Sequence, residues 1–276
     1  MLRNSFDAVA AKRRCINHRR RILEVSQNVT ALHVAPAFSC LEMVDALYYA
    51  LMRRKPAGGY ADAFLMSKGH GVIAQYVVLE SLGLMPEKDI LEYCTPAGRL
   101  GAHPDYGNPG IEASTGSLGH GLGIAAGMAY ADKIQGVDRV TYVILGDGEM
   151  QEGSVWEAIM MSPNLKLCNL VAFCDFNEYQ GLGRTQETHP HFLPLTEKAA
   201  SFGWEAVEID GQEPAAVVEA VRTRKGDRPL MITSRTTKGY GVSYMLDNPI
   251  WHYRSPNKEE YAQALAELAA MEKELG

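Results

Sequence analysis

Apolar and polar positions repeat along this chain on two different periods. Residues 5–27 and 39–54 carry their apolar side chains at helical spacing and read as amphipathic helices, joined by NVTALHVAPAFS, where Pro36 and the polar residues interrupt the period. The short apolar run AFLMS then leads into KGHG and the helical VIAQYVVLESLGL, a strand, a turn and a helix. Residues 95–123 are too rich in glycine and proline for regular structure. From there the pattern predicts a helix at about 120–135, a strand at 139–145, a helix at 149–161 and a strand at 168–175. A loop at 176–194 and a further helix follow, then a strand at 205–209, a helix at 213–224 and a strand at 229–234. A second punctuated loop, 236–256, precedes a final Ala/Glu/Lys-rich helix.

Strands that alternate with helices and are apolar on both faces predict an α/β fold, a mostly parallel sheet flanked by helices on both faces. No internal repeat, linker or low-complexity tract divides the chain, so residues 1–276 are expected to form one domain. Ligands of open parallel sheets bind beyond the carboxyl ends of the strands, and loops too long for plain connections are usually functional. Both long loops are expected to gather at that end.

Composition narrows the class. A hydrophobic fraction of 46% over 276 residues is ample for a core, and a net charge of -6 with intermixed signs offers no basic face to nucleic acid. No apolar run approaches the roughly 18 to 20 residues of a membrane span. The basic stretch AKRRCINHRRR lies between Asp7 and Glu24, with no apolar core after it, and reads as the solvated face of a first helix rather than a transit peptide. Cys15, Cys40, Cys94, Cys168 and Cys174 form no C-x-x-C pair, which signals neither a disulfide framework nor a zinc site; a cytoplasmic protein is the expectation.

The chemistry concentrates in VTYVILGDGEMQEGSVWEA, residues 140–158, where an apolar strand runs into Gly146-Asp147-Gly148 and then a helix. Flanking glycines let the backbone approach a ligand, the strand end aims the carboxylate at the crevice, and the next helix presents its N-terminus. A carboxylate repels a phosphate unless a cation lies between them, so the arrangement points to a divalent metal bridging Asp147 to a phosphorylated ligand. Magnesium accepts one or two carboxylates and completes its shell with neutral oxygens, phosphate and water. Asn177, thirty residues on in CDFNEYQ, supplies such an oxygen at the end of the next apolar strand. An isolated G-D-G is more simply a tight turn, and Asn177 a turn former; it is their paired placement at strand ends that argues for a metal. In STGSLGHGLGIAAGMAYA, Gly116, Gly119, Gly121 and Gly123 lead into a helix and suit backbone amides that cradle a diphosphate, though spaced glycines also serve helix packing. Five histidines, His33, His70, His103, His120 and His252, sit in glycine- or proline-bearing loops or helix starts without H-E-x-x-H spacing, and read as hydrogen-bonding groups for a polar substrate rather than zinc ligands.

These residues carry a resemblance. GDGEMQEGSVWEA followed by CDFNEYQ looks like the thiamine diphosphate motif, and QEGSVWEA, SKGH, GAHP, ASTGSLGHGLGIAAGMA, TTKGYG and the later WH resemble transketolase landmarks in order over nearly the whole chain. The resemblance implies a thiamine diphosphate-binding fold with magnesium (or calcium or manganese) held by Asp147, Asn177 and a backbone carbonyl near Tyr179. It implies cofactor contacts from His70, Gly116, Ser117, Leu118, His120, Gly146, Gly148, Glu149, Glu152, Asn177, Lys238 and His252. His33, His70, His103 and His252 would act at the reacting carbon, and Glu152 would help couple active sites across a dimer. His120 stands where many transketolases have Gln, which leaves its role open.

The resemblance also implies transfer of a two-carbon ketol unit from a ketose to an aldose, both expected to be sugar phosphates. The family's pyrimidine-binding domain, which supplies the activating glutamate, and its C-terminal domain do not follow in this sequence. The expectation is therefore the N-terminal subunit of a split transketolase, active only with a C-terminal partner subunit, in an α2β2 assembly with no nucleic acid or membrane partner. Pentose phosphates, branched sugar phosphates and sulfonated sugars all remain open as substrates. The rivals are the α chain of a 2-oxoacid dehydrogenase, 1-deoxyxylulose-5-phosphate synthase, and a cofactor-binding scaffold without turnover.

Overall fold

Every long apolar run predicted as a strand pairs into one sheet. The computed structural model describes residues 6–29, 32–181, 183–246 and 248–276. Its strands are β1 (Ala63–Met66), β2 (Thr141–Gly146), β3 (Leu170–Phe176), a small antiparallel hairpin of β4 (Tyr179–Gln180) and β5 (Gly183–Arg184), then β6 (Glu205–Asp210) and β7 (Leu230–Arg235). The main sheet has the order β1-β2-β3-β7-β6 and all its pairs are parallel. β1, β2 and β3 are buried throughout, as strands covered on both faces must be. β6 departs from that pattern: it is a half-exposed edge strand whose Glu208 and Asp210 face solvent, and charge on an edge discourages pairing with another chain.

The helices are α1 (Ala8–Ser26), α2 (Val34–Ala46), α3 (Val72–Ser81), α4 (Glu87–Leu91), α5 (Gly121–Gln135), α6 (Gly153–Asn164), α7 (Thr185–Thr188), α8 (Leu195–Ser201), α9 (Pro214–Arg222) and α10 (Lys258–Lys273). Alternate strand residues divide between two apolar layers. Phe64, Met66, Tyr142, Ile144, Val171, Phe173 and Ile232 face the layer built with α1, α2, α3 and α9. Leu65, Val143, Leu145, Ala172, Cys174 and Met231 face the one built with α5, α6 and α8. Helices therefore cover both faces, as the alternation predicts.

The second helix corrects two sequence expectations. It begins at Val34 rather than residue 39, because Pro36 falls in its first turn, where a missing N–H leaves no bond unmade. It is also not amphipathic: every residue from Val34 to Ala46 is buried, with a π-helical turn at Leu47–Leu51 carrying the chain out. Val34–Leu51 has the length and apolarity of a membrane span, and most of it lies inside the fold. The short α4, α7 and the β4–β5 hairpin are not expected from the pattern. Elements of two to five residues show too few repeats for a period to register. Among the described residues, the loops 95–120 and 236–256 hold no strand or α-helix, only turns, one isolated bridge and two 3₁₀ turns.

Candidate cofactor and active site

Strand register assembles the site. Gly146 lies opposite Asp175, and Asp175 opposite Ser234, so the carboxyl ends of β2, β3 and β7 stand side by side. The chain leaves β2 through Asp147, whose N–H donates to the Asp175 carbonyl at 3.2 Å. Its buried side chain accepts from Gly148 N (3.0 Å) and Thr185 Oγ1 (3.2 Å). A Cβ on Gly148 would stand 2.5 Å from that of Gln180, so glycine here lets the β4–β5 hairpin close over the turn. Asn177, also buried, donates from Nδ2 to Ser39 Oγ (3.2 Å) and accepts Tyr179 N–H at Oδ1 (3.1 Å). Burial, reinforced by the charge of Asp175, pushes the Asp147 carboxyl up to about 7. A cation beside Asp147 would restore its charge.

Asp175 joins four elements behind this pair. Its carboxylate takes hydrogen bonds from Lys68 Nζ, Ser39 Oγ (2.6 Å), Thr236 Oγ1 (2.5 Å) and Asn177 Nδ2 (3.4 Å). Burial alone would drive the Lys68 proton off, but the Asp175 carboxylate outweighs it and holds the ammonium above its ordinary value. Lys238 has no carboxylate within ion-pair distance among the described residues; burial, then the charge of Lys68, push it down to about 8, and its Nζ lies 2.8 Å from His252 Nδ1. Lys68 is thus spent on Asp175, whereas Lys238 stands at the cleft without a carboxylate partner among the described residues.

Four histidines from separate loops converge opposite. Ring centroids are 5.6 Å apart for His33 and His70, 6.3 Å for His33 and His103, 5.6 Å for His33 and His252, and 5.2 Å for His70 and His252. Burial, aided by neighbouring cationic groups, lowers His33 to about 4, His252 to about 3 and His70 well below its ordinary value. These three are neutral imidazoles at pH 7, each with one N–H donor and one acceptor nitrogen. Two glycines allow the convergence: a Cβ on Gly69 would lie 2.8 Å from the Gly116 backbone, and one on Gly116 would strike the His103 ring at 2.7 Å.

One cavity of about 520 Å³ joins these groups. Of the residues proposed from sequence, it is lined by His33, His70, His103, Gly116, Leu118, Gly146, Asp147, Gly148, Glu149, Glu152, Asn177, Tyr179, Lys238 and His252. Glu149 is largely spoken for by the fold: it accepts Ser67 Oγ (2.5 Å) and Gly119 N–H (3.0 Å), which ties the glycine-rich loop to the strand ends. Ser117 and His120 do not line the cavity. His120 is exposed, its Nδ1 lies 3.2 Å from the Ser117 and Leu118 carbonyls, and it borders a separate groove with Ile124 and Ser154. Sequence reasoning does not select Lys68, Asp175, Gln180, Gly181 or Tyr253. Lys68 and Asp175 stand inside the motifs already quoted, SKGH and CDF; Tyr253 follows the WH landmark.

The donor set suits a hard cation. Asp147 offers carboxylate oxygen and Asn177 amide oxygen, with the Tyr179 backbone carbonyl two residues on. No cluster of three or more His, Cys, Asp or Glu that could hold a metal occurs among the described residues. One carboxylate with neutral oxygens fits magnesium bound together with a phosphate, and does not fit a zinc site.

A parallel sheet with its acidic and amide groups at adjacent strand ends, under a cage of histidines, defines a cofactor-binding α/β domain. Residues 11–272 match the family described as "Transketolase, thiamine diphosphate binding domain", and the chain belongs to that family. It is 39% identical over 258 residues to one of the subunits of apulose-4-phosphate transketolase from Phocaeicola vulgatus, covering 91% of each chain. It is 36% identical to the SqwG subunit of 6-deoxy-6-sulfo-D-fructose transketolase from a Clostridium species, covering 91% of this chain and 93% of the relative. Human transketolase is 34% identical over 86% of this chain, which spans 38% of that protein. The solved transketolase from Leishmania mexicana superposes with a TM-score of 0.85 at 25% identity, covering 94% of this chain and 41% of that one. These matches favour transketolase over the 2-oxoacid dehydrogenase and deoxyxylulose phosphate synthase readings.

Proposed function

We propose that this chain is the diphosphate-binding subunit of a two-chain transketolase, which, once joined by its second chain, moves a two-carbon ketol unit from a ketose to an aldose. The observation that carries the reading is the meeting of Asp147 and Asn177 at adjacent strand ends in the cavity that also holds His33, His70, His103 and His252. Two relatives that match this chain over nearly their full length are named as transketolase subunits, which supports a second chain. So does the outer face of α5 and α6, which leaves Ile124, Tyr130, Ile134, Met160 and Met161 exposed. An α2β2 assembly is the form proposed.

In this reading Asp147, Asn177 and the Tyr179 carbonyl hold magnesium, and Lys238 offsets charge of thiamine diphosphate. The bound cofactor supplies the nucleophilic carbon that takes up the two-carbon unit. The neutral imidazoles of His33, His70 and His252, with His103 beside them, hydrogen-bond sugar hydroxyls and pass protons to and from them. Desolvation keeps the three uncharged, so each both donates and accepts at neutral pH. The names of the relatives, which mention apulose 4-phosphate and 6-deoxy-6-sulfo-D-fructose, support trying a sugar phosphate and a sulfonated sugar beside pentose phosphates as donors.

Calorimetric titration of thiamine diphosphate with magnesium tests the reading, using the chain by itself and in complex with its second chain, wild type and Asp147→Ala. Magnesium-dependent binding that needs the second chain and is lost in the variant is expected. Absence of binding by the folded wild-type assembly would overturn it.

A further inference from the structure

The last wall of the cavity is a residue that the cofactor reading leaves without a task. Tyr253 is 61% exposed, yet its ring packs against two histidines. It meets the His252 ring edge-on at 4.4 Å and the His33 ring at 5.1 Å. Its hydroxyl lies 3.9 Å from the point a Cβ on Gly181 would occupy, on the opposite lip of the cavity beyond the β4–β5 hairpin strand Tyr179–Gln180. Tyr253 therefore reaches across the mouth from the histidine side to the hairpin side.

The segment that carries it is anchored. Trp251 is buried, packs on Tyr244 at 4.8 Å and lies under the Arg254 guanidinium at 4.4 Å, while His252 is held by Lys238. A rigid aromatic ring costs little conformational entropy to present, and a phenol both donates and accepts a hydrogen bond. Among the described residues the Tyr253 hydroxyl has no hydrogen-bond partner, so both its valences remain available to a ligand.

We propose that Tyr253 is a specificity-determining residue, which closes the mouth over the histidine cage and hydrogen-bonds the hydroxyls of a bound sugar beyond its reacting carbon. The proposal rests on the transketolase reading. A sugar whose reacting carbon sits at His33 and His252 must extend out between Tyr253 and Gly181, so the width of that gap and the phenol's hydrogen bonds decide which distal groups are accepted. Gly181 keeps the gap open; a side chain there would point at the Tyr253 hydroxyl.

The test uses the wild-type assembly of both chains, and Tyr253→Phe and Tyr253→Ala in the same assembly. Ketol transfer is measured with an unbranched ketose phosphate, a branched ketose phosphate and a sulfonated ketose, and thiamine diphosphate affinity is measured by calorimetry. Tyr253→Ala is expected to raise KM about tenfold for the preferred donor and to reorder the three donors, with kcat within about threefold and cofactor affinity unchanged. Tyr253→Phe is expected to reproduce most of the KM increase and part of the reordering, separating the hydroxyl from the ring. Unchanged KM and donor order in Tyr253→Ala overturn the proposal, as does a KM increase that merely follows a loss of cofactor affinity. A wild-type assembly that transfers no ketol unit overturns the transketolase reading and this proposal with it.

Discussion

Lys68 and Asp175 form an ion pair with both side chains withdrawn from solvent, joining the turn after β1 to the end of β3 across 107 residues of chain. The pair is a structural keystone under the cleft, because the Asp175 carboxylate also ties Ser39 and Thr236 to Asn177.

Removing one charge of a buried pair leaves the other uncompensated, which costs about 3–5 kcal/mol. Asp175→Asn is expected to lower the stability measured by urea denaturation by that amount. Adding Lys68→Met to Asp175→Asn should recover much of the loss, since no lone charge then remains. A double variant no more stable than Asp175→Asn would show that hydrogen bonds, not the charge pair, hold this junction.

Gly116 and Gly58 separate collision from backbone strain. Both have positive φ, +128° and +95°, but a Cβ at Gly58 meets nothing within 4 Å while one at Gly116 strikes His103. Gly58→Ala should cost about 1–2 kcal/mol from backbone conformation alone. Gly116→Ala should cost more and shift the His103 imidazole resonances in proton–nitrogen NMR spectra. Unchanged His103 signals in Gly116→Ala would contradict the packing described.

Lys238 is expected to set the alkaline limit of cofactor binding. Its folded value is about 8, so it is charged below that pH and loses its proton above it. An anionic diphosphate favours the protonated form, and thiamine diphosphate affinity is therefore expected to fall as pH rises from 7 to 9. Calorimetry across that range checks the slope, and Lys238→Met should flatten it.

His18 supplies an acid limit on stability. It is buried near Arg14 and Arg19, and burial foremost, then those charges, lower it to about 4. The unfolded chain takes up this proton near pH 6.5 while the fold refuses it until about pH 4. Stability is therefore unaffected above pH 6.5 and falls through the interval below. The loss is about 2 kcal/mol between pH 7 and 5 for this residue, with His33, His70 and His252 acting in the same direction. Urea denaturation at the two pH values, with His18→Gln as comparison, reads the difference; equal pH slopes in both proteins would refute it.

Most of the architecture was legible along the chain because long buried strands and helices repeat their apolar positions often enough to declare a period. VTYVILG and LVAFCDF place Asp147 and Asn177 at strand ends by sequence alone, and glycines beside charged groups marked where a ligand would approach. The same local logic misplaced the start of α2, since a proline breaks a helix interior but suits a first turn, and only the position of the turn decides which applies. It also grouped His120 with the other loop histidines, though His120 is exposed beside a different groove.

What the sequence determined by itself is therefore the set of strand ends and the kinds of group they carry, since both depend on neighbours within a few residues. Tertiary structure alone decided the rest: that Asp175 rather than solvent neutralises Lys68, that four histidines share one cage, and that Tyr253 faces Gly181 across its mouth. Each of those relations joins distant segments through sheet register and loop packing, and both the desolvation that moves a pKa and the gap that admits a sugar exist only once those segments meet.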